Sequence, residues 1–232
     1  MPKPSRPTKT AVSSPTPAEP SSPRLPKVEL QPVDFASLDL HSEITLERAR
    51  WTGVARGDAA RSRWSEGEFE RARLGGVSWA TAHFEDLHLR DCDLANANAR
   101  GIYGARVHFH ESRLLGYIAT DSTWYDTVFT GCSLVLSQWR FSKFTRVRFE
   151  NCELSGADFQ NSDLRGAVFR DCNLTEAQFS FCQLAGADWR GSEIQDLRVD
   201  GPSLAGLIVN PFQAANLSAL LGLKVMWGDD AR

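Results

Sequence analysis

A frame of five residues runs through most of this chain without a slip. Stepping by five from Trp64 meets Phe69, Leu74, Trp79 and Phe84, and the series continues to Val209. Of its 30 positions 27 are large and apolar; Ala99, Gly104 and Ala119 are the exceptions. The position two residues earlier is small in 24 of 30 cases and holds all five cysteines: Cys92, Cys132, Cys152, Cys172 and Cys182. A period of five belongs neither to a helix at 3.6 nor to a strand at 2.0. It describes a short extended piece with two inward side chains, followed by a corner. A corner after every five residues closes a four-sided coil in 20.

That number is visible independently. Every twentieth residue from Leu74 gives Leu94, Leu114, Leu134, Leu154, Leu174 and Ile194. From Phe69 the column reads Leu89, Phe109, Phe129, Phe149, Phe169 and Trp189, and Cys92, Cys132, Cys152 and Cys172 share a third column broken by Ser112. Columns of like residues are what stacked parallel coils predict, because each residue packs on its counterpart one rung away. Thirty pentapeptides make about 7.5 coils, a core of roughly 36 Å at ~4.8 Å per rung.

The stretch LSGADFQNSDLRGAVFRDCNLTEAQFSFCQLAGADW resembles the pentapeptide-repeat family, whose pattern is A-(D/N)-(L/F)-x-x. The resemblance covers about 150 residues, with a weaker lead-in from Thr52 through Val54 and Ala59. It implies an all-β fold, a right-handed quadrilateral parallel β-helix of about 7–8 coils.

The remaining segments divide the chain. Residues 1–27 hold 8 of the 11 prolines and carry Lys3, Arg6, Lys9, Arg24 and Lys27 against Glu19. They have too little apolar surface to offset ordering entropy and read as a disordered basic tail, with a tether for an acidic partner as the alternative. Residues 28–51, with Phe35, Leu38, Leu40, Ile44, Leu46 and Trp51, read as an N-terminal cap, and 52–209 as the coil. In 210–232, Asn210, Pro211 and Gln213 form a helix-start signature and Gly222 a stop, predicting a helix over 211–221 and then an extended LKVMW. This end serves as a cap alone, leaving a monomer, or as a cap that also forms a homodimer.

Motifs for chemistry are missing. There is no GxSxG, GxGxxG, P-loop, HExxH or CxxC, and a square prism offers flat faces rather than a water-excluding cleft, so no enzyme and no cofactor are expected. Cys132, Cys152 and Cys172 read as compact apolar filler. His88, His108 and His110 form the one imidazole patch that could hold zinc, though no further ligand completes it. Small residues at 99, 104 and 119, beside the unusually large Ile102 and Tyr117, predict a local bulge over 97–119, with a ligand pocket there as the alternative. Leu115, Val135 and Leu136 on one face, with Phe141 and Phe181 on the next and Arg140 nearby, are the candidate partner surface.

Charge narrows the partner. Residues 64–209 carry 20 acids and 14 bases, a net of −6, so direct nucleic-acid binding is not expected. No apolar run reaches the ~20 residues of a membrane span, and the absence of a secretory signal makes the cytoplasm the default address. The expected function is a protein-interaction scaffold. The family resemblance adds an alternative: a DNA mimic that binds type II topoisomerases and protects them from quinolones or toxins. A duplex of 36 Å carries roughly 21 negative charges, however, far more than this block.

Overall fold

Two inward side chains per pentapeptide and a polar corner between pentapeptides are sufficient to wind the chain into a four-sided parallel β-solenoid of about seven turns. The computed structural model describes residues 18–220 and 222–226. Nine strands lie in one parallel sheet: β1 (Gln31–Asp34), β2 (Thr45–Glu47), β3 (Ala49–Thr52), β4 (Arg63–Glu70), β5 (His83–Arg90), β6 (Tyr103–His110), β7 (Thr123–Thr130), β8 (Lys143–Glu150) and β9 (Val168–Arg170). From β4 onward each residue pairs with the one 20 further on, as in Trp64 with Phe84 and Trp124 with Phe144. The first coil is shorter: β1 pairs β3, and β2 pairs β4, at an offset of 18. Residues 31–52 therefore form an additional, tighter rung beneath the regular repeat.

The four sides are not alike. The eight-residue strands β4 to β8 each span two pentapeptides and bend at one left-handed residue: Glu66, Asp86, Arg106, Asp126 or Arg146, with φ between 49° and 54°. The other sides are joined rung to rung by single parallel bridges, such as Arg73 to Asp93 to Arg113 to Ser133.

Inside, the expected columns are present. Leu74, Leu94, Leu114, Leu134, Leu154 and Leu174 are fully buried. Phe109, Phe129, Phe149 and Phe169 stack with centroids 4.6–4.8 Å apart and planes within 10°. Each buried ring of this size contributes about 1.5–3 kcal/mol by leaving water. The small column does more than fill space. The thiols of Cys152 and Cys172 donate to the Phe129 and Phe149 carbonyls at 3.3 Å, and Ser142, Ser162 and Ser192 hydroxyls reach the corresponding carbonyls of Ala119, Trp139 and Phe169 at 2.7–3.0 Å. Serine and cysteine both fill this class as small donors, and those named tie one rung to the next, whereas Ser62 and Ser137 donate within their own rung. Cys132 is buried in the same column.

The bulge expected over 97–119 does not form. Strands β5, β6 and β7 stay in register through this region, and Ile102, Tyr117, Ala99 and Ala119 are all buried. The reason is an exchange of bulk: a Cβ placed on Gly104 would lie 2.2 Å from Cε3 of Trp124, so the missing side chain makes room for the indole one rung away. Close packing is met by neighbours, not by bending the backbone.

Both ends are closed. Phe35 is buried against Trp64 and Phe69, with centroids 6.0 Å from each. At the other end, helix α1 (Pro211–Leu220) begins with a reciprocal capping box: Gln213 N–H donates to Asn210 Oδ1, and Asn210 N–H to Gln213 Oε1, both at 2.9 Å. The same Gln213 amide donates to the Trp189 and Ser192 carbonyls at 2.7 and 2.8 Å, sealing the last coil. Gly222, at φ 73°, and Leu223 donate back to Ala219 and Ser218, the hydrogen-bond pattern of a Schellman stop. Residues 223–226 have no regular structure, and Trp227 of the expected extended piece lies outside the described residues.

Candidate interaction surfaces

Two surfaces carry the residues that sequence reasoning singles out, and a third is one that it misses. The histidine patch lies on the β4–β8 face. His88 and His108, one rung apart, stack with centroids 5.4 Å apart and planes at 17°. His88 Nδ1 lies 3.0 Å from the Arg90 guanidinium, and His110 Nε2 lies 3.7 Å from Glu111. Face-to-face imidazoles point their nitrogens along parallel planes rather than at a common point. Among the described residues no three His, Cys, Asp or Glu side chains converge on a metal position. Burial, aided by the charge of His88, pushes His108 down to about 4, while the Ser21 backbone opposes the shift. At neutral pH this pair is uncharged packing.

The apolar candidates separate into two groups. Leu115 and Val135 are half-buried between rungs. Leu136, Phe141 and Phe181 project outward, with 60%, 60% and 72% of their surface exposed. All three are left-handed, with φ 56°, 58° and 63°. Phe141 and Phe181 stand in one corner column with Asn161 between them, and Arg140 pairs with Asp158 at 2.8 Å beside them. The left-handed corner recurs all along the coil, at Arg61, Glu66, Thr81 and Asp126 among others, and costs roughly 1 kcal/mol wherever glycine or asparagine does not fill it.

The third surface is the ladder at the bend of β4 to β8. Arg106 grips Asp86 through Nε and Nη2 at 2.6 and 2.8 Å and also reaches Glu85; Arg146 grips Asp126 in the same way at 2.6 and 2.8 Å. Burial works to raise the Asp86 carboxyl, but hydrogen bonds from Arg106 and the Arg24 N–H leave it below the ordinary carboxylate value; at Asp126 the Arg146 contact dominates and has the same result. Residues 18–27, read from composition as part of a disordered tail, run across this ladder. Ser21 N–H donates to Asp126 at 3.1 Å, Arg24 N–H donates to Asp86 at 2.8 Å, and Glu19 pairs with Arg148. Residues 1–17 of that segment lie outside the described residues. The sequence signal for the contact was present in the spacing of Pro17, Pro20, Pro23 and Pro26, a period of three that a count of prolines conceals.

A coil of this geometry defines a class, the four-sided repeat solenoid. Residues 142–210 match the model of the pentapeptide repeat region, the family whose pattern the sequence resembles. No curated protein sequence matches it. Among solved structures, a trypsin-treated form of QnrB1, a plasmid-mediated fluoroquinolone resistance protein, is 22% identical, with a TM-score of 0.46, over 82% of this chain and 94% of that one. HetL, a pentapeptide repeat protein of the cyanobacterium Nostoc involved in heterocyst differentiation regulation, is 14% identical, with a TM-score of 0.31, over 78% and 86%. A pentapeptide repeat protein of the Arabidopsis thaliana thylakoid lumen is 19% identical, with a TM-score of 0.29, over 65% and 88%.

Proposed function

We propose that this chain is a non-catalytic scaffold that binds another protein through two successive corners, one carrying Leu136 and the next Phe141 and Phe181. The observation that carries this reading is the exposure of three large apolar side chains at left-handed corners that elsewhere in the coil hold mostly polar residues or glycine. Asn161, in the same column, is a residue that accepts the left-handed region readily, yet Phe141 and Phe181 on either side hold large apolar rings in solvent there. Exposed apolar area of this kind is characteristic of contact sites. The DNA-mimic alternative has less support, because arginines interleave with the carboxylates: Asp86, Asp93, Asp126, Asp158, Asp163 and Asp188 all pair with arginine.

The test is Phe141→Asn with Phe181→Asn. The double variant is expected to keep its circular dichroism spectrum and to gain up to about 1–2 kcal/mol of stability, from two relaxed corners. It should lose, by more than tenfold, retention of a protein that the immobilised wild-type chain captures from host extract and binds again when purified. Undiminished retention would contradict the assignment of these corners. Gyrase supercoiling in the presence of micromolar wild-type chain separates the alternative, and is expected to be unaffected.

A further inference from the structure

We propose that the bent β4–β8 face is a receptor for an extended chain with a proline at every third residue, and that residues 18–26 of this same chain occupy it as a strap. The argument is one of matching periods. A proline at 17, 20, 23 and 26 favours polyproline II, whose three-residue turn advances about 9.3 Å. Two rungs of the solenoid advance about 9.6 Å. Ser21 and Arg24, three residues apart, therefore meet Asp126 and Asp86, two rungs apart, and each donates its backbone N–H to a carboxylate oxygen.

The carboxylates are built for this. Arg106 and Arg146 fix their orientation with paired hydrogen bonds from the neighbouring rung, and Oδ1 of each carboxylate accepts both the arginine Nε–H and the strap N–H. Both donors follow a proline directly, so one edge of the polyproline helix offers an N–H at every turn. Pro20, Pro23, Leu25 and Pro26 are half-buried, while Ser21, Ser22 and Arg24 stay exposed outside their backbone contacts. Glu19 on Arg148 sets the register at one end. The Ser21 backbone also lies against His108, and the strap keeps this face from other partners. It stands independently of the scaffold reading above, which concerns different corners.

The experiment uses the full chain and one variant, Ser21→Pro with Arg24→Pro, which removes both N–H donors and keeps the extended conformation. In the wild-type chain, the Ser21 and Arg24 amides are expected to exchange hydrogen at least tenfold more slowly than in a free synthetic peptide of residues 15–28. By fluorescence anisotropy, that peptide, labelled, should bind the double-proline chain at least tenfold more tightly than wild type, whose own strap competes. The peptide carrying the two prolines should bind neither. Amide exchange at free-peptide rates, or equal peptide affinity for both chains, would overturn the proposal. Protection that grows with protein concentration would also overturn it, by assigning the site to the strap of a second copy.

Discussion

Single residues in this molecule are judged by what lies one rung away. Gly104 is a case where a methyl group is too much: its Cβ would fall on the Trp124 indole, which is itself fully buried and cannot retreat. Gly104→Ala is expected to cost about 1–3 kcal/mol in denaturant unfolding, the scale of overpacking against a rigid neighbour. Gly76→Ala, at φ 72° with nothing near the new methyl, should cost only about 1 kcal/mol, from backbone conformation alone. His108 supplies a pH dependence. Its native value near 4 lies below the unfolded 6.5, so the unfolded chain binds more protons between those limits. Stability should therefore fall as pH drops from 7.5 to 5, and His108→Val, which repeats Val128 of the next rung, should remove about 1 kcal/mol of that fall after allowance for partial exposure. A slope unchanged in the variant would contradict the burial of a neutral imidazole.

At the scale of elements, the helix at the end of the coil rests on one side chain. Gln213 closes the capping box and also satisfies two carbonyls of the final rung. Gln213→Ala should cost about 2–3 kcal/mol, and hydrogen exchange should show α1 and the last coil becoming labile together. Fraying of the helix alone would mean that it does not seal the coil. This element was legible in advance, because a capping signature is local: Asn210, Pro211, Gln213 and Gly222 each act within one turn. The straight register through 97–119 was not. A small residue at Gly104 looks the same in sequence whether the backbone bends or a tryptophan 20 residues away fills the space. The strap was hidden for a related reason, since its partners Asp86 and Asp126 lie 62 and 105 residues from their donors.

For the whole molecule, one repeat length governs both core and surface. The inward columns make a continuous hydrophobic interior, and the same 20-residue spacing lines up Asp86, Arg106, Asp126 and Arg146 outside as an alternating ladder. A strap of period three can bind such a surface because three of its residues span two rungs. The corner aromatics then form a second surface that the strap does not touch. The claim beneath all of this is that residues 20 apart are neighbours along a straight stack. Spin labels on cysteines introduced at exposed corners of one column test it, with Arg71 as the fixed site and Asn151, Asp171 or Gly191 as the second; the five native cysteines are buried. Electron–electron distances are expected near 19, 24 and 29 Å, an increment of about 4.8 Å for each 20 residues. Distances that do not rise in equal steps would contradict the stacked coil and the surfaces built on it.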